Sequence, residues 1–491
     1  MPALTSTKNK TKDLTHGPIG RQLFWFSLPL FAGSLIQQLY STVDLIFVGR
    51  VLGKDAAAAV GASTFIIIII LGFFIGLSVG IGVIAAREFA RGEFENLSRV
   101  VHCTAGLTII FSIVFTILGI IFAPTVLELM NTPPEIMHWG TLYIRLFMLS
   151  LFSIVSYNVG SGILRALGNS LSPMIYQLIG GIANVIGNFL FVYYWNFGIS
   201  GSAMATVVSQ TLAAGLVIYH LYNMDARYCL RFKKITLDLS LAREIFRIGI
   251  PAAIQTIVIT LSNIVVQTNI NGLGVNSIAA YAAYFKVENV IYLPIMALGQ
   301  ACSTFISQNV GVGKIMRSKR GTAISIYFGL AVTAVSISLV LSFADFAFGM
   351  FTDDAEVIAI GSSIAFVIMP FYFLYVFLEV LASSIRGSGS TLPTMFIILV
   401  NMCVIRIGVL KLIMYFNPTA DGVAWVYPIT WVFTVACLYW YYRSERWNPV
   451  KVLAKPALPF SLLKNLTPHT YSSNLFAVCV RGLFYWFFKL L

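Results

Sequence analysis

Long apolar segments follow one another along the chain between Phe24 and Tyr442. Each holds about 20 residues or more, which is enough to cross a hydrocarbon layer of ~30 Å as a helix. The segments are continuous, as in 65–86, and lack the alternation of polar and apolar residues that is typical of a β-barrel wall. The pattern predicts an all-α polytopic membrane protein. Its twelve transmembrane helices are expected to start near residues 22, 60, 101, 141, 172, 200, 246, 279, 321, 361, 392 and 422.

A constant offset of 221 residues aligns the two halves of the sequence, so that Gly92 falls on Gly313 and Arg165 on Arg386. Each half holds six predicted spans. Because six is even, both halves start on the same side, and a pseudo-two-fold axis along the membrane normal relates two six-helix bundles. The expected parts are an N-terminal segment at 1–21, an N-lobe at 22–224, a linker at 225–245, a C-lobe at 246–442 and a divergent tail at 443–491, where an interfacial helix is favoured over a thirteenth span.

Charge is scarce and unevenly placed. Only 10% of the residues are charged, against about a quarter in soluble domains. Basic residues concentrate in alternate connections and give a net charge of +13, whereas the loops near 125–138, 196–200, 271–277 and 345–356 hold no Lys or Arg. Arg50 and Lys54, which follow the first span, are the exception. This asymmetry indicates a multi-pass protein of the cytoplasmic (inner) membrane with both termini in the cytoplasm, and it argues against nucleic-acid binding.

Asp44 is the most informative acidic residue within a predicted span. It shares one helical stripe with Gln37, Tyr40 and Ser41, at spacings of three, four and seven residues. A polar stripe inside a bilayer must face protein or water, and burial disfavours the ionised carboxylate. Asp44 is therefore predicted to load and release a coupling ion. The alternative is a structural aspartate that is hydrogen-bonded near the helix end.

Asn184 and Asn188 lie one turn apart on one face of the fifth predicted span. Their amide oxygens suit either Na⁺ or a protonated Asp44. A sodium site at Asp44 and Asn184 is the one metal site expected. Hydrogen bonding between helices is the alternative role of the amide pair.

Two more acids fall within predicted spans of the second half. Glu288 has Lys286 two residues away, which favours a neutralised, structural group. Glu379 lies among Tyr and Phe, which suits an organic cation, although a packing role is equally open. Arg406 and Lys411 are candidate partners for either acid.

Enzymatic motifs are not found in the sequence: the five histidines are isolated, and no GxSxG, HExxH or phosphate-binding loop occurs. The chain is therefore predicted not to be an enzyme. Without a nucleotide-binding motif, the energy for transport must come from an ion gradient. We expect no cofactor besides H⁺ or Na⁺ as the coupling ion.

Several segments together resemble the multidrug and toxic compound extrusion (MATE) family of bacterial type, over about 17–442. They are the opening span 28–49 with its Asp44, Arg165-Ala166-Leu167-Gly168-Asn169, the run 201–210, and Gln308-Asn309-Val310-Gly311. The resemblance implies a monomeric multidrug antiporter that exports small organic cations by alternating access between its lobes. It also implies an N-lobe cation site at Asp44, with polar positions at Gln37, Tyr143, Asn158, Asn184 and Thr206. The chain departs from the family at Asn188, where many relatives carry Asp.

Two other functions compete with an exporter. A flippase for lipid-linked precursors predicts a cavity rich in Arg and Lys, whereas the basic residues here mostly fall in loops. A membrane-embedded enzyme acting on lipids would need a cluster of catalytic side chains, which the sequence does not show.

Overall fold

The computed structural model describes residues 11–130 and 132–448, and within them the backbone forms helices and no strand. Eleven of these helical segments are long and apolar enough to span a membrane, and a pair bent by 48° supplies the twelfth. The predicted fold class is therefore confirmed. Residues through Trp447 form one compact unit. Most of the predicted tail, from 449 on, lies outside the described residues.

The first half of the chain holds seven α-helices. They are α1 (Ile19–Phe47), α2 (Lys54–Arg91), α3 (Phe94–Leu129), α4 (Pro134–Leu149), α5 (Leu151–Ala166), α6 (Leu171–Asn188) and α7 (Ile199–Tyr222). The bent pair is α4 and α5. Short π-helical segments follow α1 and α6, at Val48–Leu52 and Phe189–Tyr194.

The described residues of the second half follow a similar order but form nine α-helices instead of seven. They are α8 (Leu239–Asn271), α9 (Val275–Gly311), α10 (Ile315–Ser342), α11 (Ala344–Gly349), α12 (Ala355–Ile368), α13 (Tyr372–Gly387), α14 (Thr391–Leu399), α15 (Arg406–Phe416) and α16 (Ala420–Arg443). A 3₁₀ turn, Met369–Phe371, joins α12 to α13, and a π-helical segment, Val400–Ile405, joins α14 to α15.

Helix boundaries follow the sequence repeat. Six of the eight glycines with positive φ among the described residues pair at the same offset: Gly53 with Gly274, Gly92 with Gly313, and Gly168 with Gly389. A left-handed residue ends a helix or turns the chain at low cost only when it is glycine. The two halves are therefore built with the same turns as well as the same spans.

Several helices begin earlier than their apolar spans predicted. For example, α3 begins at Phe94, and α8 begins at Leu239, within the segment predicted as linker. Asp238 caps α8 by accepting hydrogen bonds from the backbone N–H of Ser240 at 3.0 Å and of Leu241 at 3.2 Å. Polar first turns extend a helix past the hydrocarbon layer, and hydrophobicity alone does not detect them.

The two halves touch most closely where α2 crosses α8. A Cβ added at Gly76 would lie 2.2 Å from the backbone N of Ala253, and one at Gly80 would lie 2.7 Å from Ile245 O. Only glycine permits this approach. Small residues of this kind let helices pack backbone to backbone in a membrane.

One end of the bundle, which carries Arg87, Arg91, Arg165, Lys314 and Arg386, is here called the basic face. At this face Arg91 Nε donates to Gly311 O at 3.0 Å, and Arg87 donates to Ser388 O. Gln308 Nε2 donates to Ala166 O at 2.8 Å. Side chains of one half thus bind the backbone of the other.

Residues Lys12–His16, here called the N-terminal strap, also join the halves at the basic face. Lys12 N donates to Leu167 O at 3.1 Å, while Leu14 N donates to Gln308 Oε1 at 2.9 Å. Lys314 Nζ donates to Thr15 O at 3.0 Å. The Leu14 side chain is only 2% exposed and lies in the core of the second half. The strap therefore crosses the junction between the halves.

Candidate functional site

Asp44 lies near the end of α1, where that helix packs against α6. The contact is close because Gly181 of α6 faces the Tyr40 ring, and a Cβ there would lie 3.2 Å from Tyr40 Cδ1. The Asp44 side chain is partly exposed. It therefore lies against neighbouring helices without being sealed from an approaching ion.

Two neutral donors bind the Asp44 carboxylate. Asn188 Nδ2 and Ser202 Oγ each donate to Asp44 Oδ1 at 2.9 Å. No Lys or Arg side chain forms an ion pair with Asp44 among the described residues. The charge of the ionised carboxylate is thus met by hydrogen bonds alone, which leaves it available to a mobile cation.

The hydrogen bonds continue from Asn188 along α6 and across to α7. Asn188 Nδ2 also lies 3.2 Å from Asn184 Oδ1, and Asn184 Nδ2 lies 3.5 Å from Thr206 Oγ1. Asn188 Oδ1 is buried and has no hydrogen-bond partner among the described residues. A buried amide oxygen without a donor is costly, and here it is a free acceptor beside the acid.

Tyr40, one turn before Asp44, joins the same three helices. Its hydroxyl accepts from Gln177 Nε2 of α6 at 3.1 Å and from Gln210 Nε2 of α7 at 3.4 Å. Tyr143 of α4 is 5% exposed and lies close enough to Asp44 for the two to interact electrostatically. Two phenol rings therefore lie in the neighbourhood of the carboxylate.

Two residues assigned by resemblance are not part of this hydrogen-bonded cluster. Gln37 is exposed on α1. Asn158 Nδ2 donates to Ile154 O of its own helix at 2.8 Å, and its backbone O accepts from Ser78 Oγ at 3.1 Å. Asn158 therefore makes a local packing contact, and the Gln37 side chain is exposed.

Three polar residues of the cluster were not singled out from the sequence: Gln177, Ser202 and Gln210. The last two lie in the segment 201–210 that carries part of the family resemblance. A serine directly after Gly201 looks like a small packing residue, and only the fold brings it to an acid 158 positions earlier.

The acids of the second half have other partners. Glu379 is buried, and its Oε1 accepts from Arg386 Nη2 at 2.8 Å and from Ser383 Oγ at 2.7 Å. Its partner is thus Arg386, and neither Arg406 nor Lys411. Because this buried ion pair joins two residues of the same helix, it favours a packing role for Glu379 over an exposed cation site.

Glu288 accepts a hydrogen bond from the Tyr372 hydroxyl and forms no ion pair with Lys286 among the described residues. Lys286 therefore does not neutralise it by contact, contrary to the expectation from their spacing. Arg406 is 3% exposed, donates to Asn263 Oδ1 at 3.1 Å, and lies over the Tyr427 ring at 5.1 Å. It also forms no ion pair within the described part of the chain.

Comparisons with known proteins agree with this architecture. The family model MatE matches residues 29–190 and 251–410. The chain is 27% identical over 455 residues to the probable multidrug resistance protein YoeA of Bacillus subtilis, covering 90% of this chain and 96% of that protein. It is 25% identical to the FAD transporter of Shewanella oneidensis, covering 91% of this chain and 99% of that protein.

Solved structures share the fold. An outward-facing multidrug resistance MATE family transporter of the MOP superfamily aligns with a TM-score of 0.84 and 20% identity. The alignment covers 91% of this chain and 99% of that chain. The matched relatives and structures are transporters and not enzymes.

Proposed function

The chain belongs to the MatE family of multidrug efflux transporters, and from that premise we propose that it exports small organic cations in exchange for H⁺ or Na⁺. The observation that carries the proposal is the Asp44 carboxylate, held by Asn188 and Ser202 with no cationic partner among the described residues. H⁺ or Na⁺ is the only cofactor proposed.

The Asn188 amide suits both states of the acid. When Asp44 is ionised, the Asn188 Nδ2 group donates to it. When Asp44 is protonated, its O–H has a free acceptor nearby in Asn188 Oδ1, which lacks a donor. Na⁺ would use the same carboxylate and amide oxygens. Protonation of Asp44 or binding of Na⁺ would therefore give the unpaired Asn188 Oδ1 a partner, while the ionised carboxylate keeps the hydrogen bonds from Asn188 and Ser202.

An organic cation competes for the same charge. The ionised carboxylate attracts it, and the phenol rings of Tyr40 and Tyr143 offer the π faces that stabilise cations. Because one carboxylate cannot hold the coupling ion and the substrate together, binding of one favours release of the other. That exclusion couples the two fluxes.

We place the basic face in the cytoplasm of a cell with the protein in its inner membrane, as a multi-pass monomer. Basic residues at short connections favour the cytoplasmic side. The first helix, α1, begins at that face, and the last helix, α16, ends there. The strap and the α2–α8 contact then close the cytoplasmic side, so this conformation would admit ions and release substrate outside.

Efflux from proteoliposomes tests the proposal. A fluorescent organic cation is loaded, and either a pH or a Na⁺ gradient is imposed. Asp44→Asn should abolish gradient-driven efflux, whereas Asp353→Asn, which removes an exposed acid elsewhere, should not. Normal efflux by folded Asp44→Asn would exclude the coupling role, and the effective gradient identifies the ion.

A second candidate is export of an anionic, ring-bearing substrate. One relative is named an FAD transporter, and Arg406 lies buried without an ion pair among the described residues, close to aromatic rings. The same vesicles loaded with an anionic dye distinguish the two: efflux of that dye, lost in Arg406→Gln, supports the second candidate. A flippase would need more buried basic groups than Arg406, the one fully buried Lys or Arg in the part of the chain that the structure describes.

A further inference from the structure

A groove opens between α10, α13 and α16 near the basic face, away from the Asp44 cluster. Its volume is about 450 Å³, and its walls change character with depth. Lys319, Thr322, Ala323 and Ile326 line it from α10 at spacings that keep them on one helical stripe. Since α10 begins at the basic face and rises ~1.5 Å per residue, Ile326 lies roughly 10 Å deeper than Lys319.

The deeper part of the groove is apolar. Phe377 and Leu381 of α13, one turn apart, face it together with Ile326. No charged side chain lines the groove at this depth. An apolar channel between spanning helices suits a hydrocarbon chain and offers nothing to a soluble ion.

The mouth of the groove carries positive charge. Lys319 Nζ forms an ion pair with Glu445, which leaves Arg443 as the second cation at the mouth. Arg443 is exposed, its guanidinium lies 5.9 Å from the centre of the Tyr439 ring, and it forms no ion pair among the described residues. A phosphate group is the natural complement of such a guanidinium.

We propose that this groove binds an anionic phospholipid, with its phosphate at Arg443 and one acyl chain along Ile326 and Phe377. Charge at the mouth and hydrocarbon surface below it match the order of groups in a lipid that lies in the adjacent leaflet. Tyr439 and Trp440 are exposed beside the mouth, as is typical of side chains at the headgroup level.

Native mass spectrometry of the full chain in detergent tests this assignment. Phosphatidylglycerol and phosphatidylcholine with identical acyl chains are titrated separately, and glycerol phosphate serves as the soluble probe. We expect selective retention of phosphatidylglycerol. Arg443→Gln should weaken its binding by roughly tenfold or more, since a hydrogen bond to a charged group is lost.

Two further variants distinguish lipid binding in the groove from a general effect of positive charge on lipid retention. Ala323→Phe fills the channel from an exposed position and should reduce phosphatidylglycerol retention while the thermal midpoint stays near that of the wild type. Arg227→Gln removes an exposed cation of the linker, where Arg227 pairs with Asp225 at 2.7 Å, and should leave retention unchanged.

Three results would overturn the proposal. They are equal retention of the two lipids, unchanged binding in both Arg443→Gln and Ala323→Phe, or binding of glycerol phosphate as tight as that of phosphatidylglycerol. The last result would assign the mouth to a soluble phosphate compound instead of a lipid.

Discussion

In the proposed mechanism, the Asn188 amide sets how easily Asp44 gives up its cation. Its Nδ2 group donates to the carboxylate at 2.9 Å, and a hydrogen bond to a charged group contributes about 1.5–3 kcal/mol. Removing it disfavours the ionised form. Asn188→Ala should therefore slow proton- or sodium-driven efflux of an organic cation by about tenfold or more at neutral pH, measured as the initial rate in proteoliposomes.

Asn158→Ala is the matched control for this change, because among the described residues its side-chain amide bonds only to the backbone of its own helix. Loss of the same magnitude in both variants would show that amide removal damages the bundle in general. In that case Asn188 would have no particular link to Asp44.

At this scale, the sequence could predict those parts of the candidate site that lie on one helix. The stripe ending at Asp44 and the pair Asn184 and Asn188 follow from helical spacing alone. Ser202 could not be found that way, because its contact joins α7 to α1. Likewise, spacing suggested Lys286 as the partner of Glu288, whereas the fold brings Tyr372 to it instead.

At the scale of helices, the α2–α8 crossing depends on the absence of a side chain at Gly76. A methyl group there would overlap the Ala253 backbone, which cannot move away as a flexible side chain does. Overpacking of this kind costs about 1–3 kcal/mol or more. Gly76→Ala should lower the thermal midpoint of the purified protein. Gly82→Ala, whose nearest neighbour would be 3.8 Å away, should not, and equal midpoints would refute the close packing.

The cap of α8 predicts a dependence on pH. Hydrogen bonds from Ser240, followed by the Arg99 side chain and the Leu241 N–H, hold the pKa of Asp238 well below its usual range. A depressed pKa contributes stability above the unfolded pKa of about 4 and loses it as the pH falls below that value. Asp238→Ala should therefore lower the thermal midpoint at pH 7, and the difference from wild type should shrink at pH 3–4.

Asp353→Ala serves as the control for the capping prediction, since Asp353 is exposed and caps no helix. A difference between Asp238→Ala and wild type that stays constant across this pH range would contradict a contribution from the ionised carboxylate. The cap geometry alone would then explain the effect.

The repeat made the order of helices predictable, because glycine turns and span lengths recur at one offset. The π-helical segments Val48–Leu52, Phe189–Tyr194 and Val400–Ile405 were not predicted. A π-helical turn adds a residue to a helix without interrupting its apolar composition, so hydrophobic periodicity does not reveal it. The polar helix starts were not predicted either, because capping and not hydrophobicity sets where a helix such as α8 begins.

At the scale of the whole molecule, packing crosses the predicted boundary between the halves. Leu23 and Phe26 at the start of α1 lie in the core of the second half, while Ile245 and Ile248 at the start of α8 lie in the core of the first. If the proposed exporter works by alternating access, its cycle must separate these contacts at the basic face. Which state a chain adopts cannot be predicted from the sequence, because one sequence encodes both.

The N-terminal strap is expected to bias that choice. Leu14 is buried in the core of the second half, while Lys12 bonds to the first. Truncating a buried Leu to Ala costs about 2–5 kcal/mol of stability. If the strap leaves when the basic face opens, only the conformation with a closed basic face is destabilised. Since 1.4 kcal/mol is a factor of ten, Leu14→Ala should raise the population with an open basic face by about tenfold or more.

Spin labels at two exposed positions of that face measure the shift: Glu95→Cys on α3 and Met316→Cys on α10, in a background without Cys437 and Cys479. Double electron–electron resonance should show a longer distance gaining weight in Leu14→Ala. Leu239→Ala, which truncates a leucine that is 82% exposed, should leave the distribution as in the wild type. If Leu14→Ala only lowers the thermal midpoint while the distances stay fixed, the strap stabilises both states equally and does not select between them.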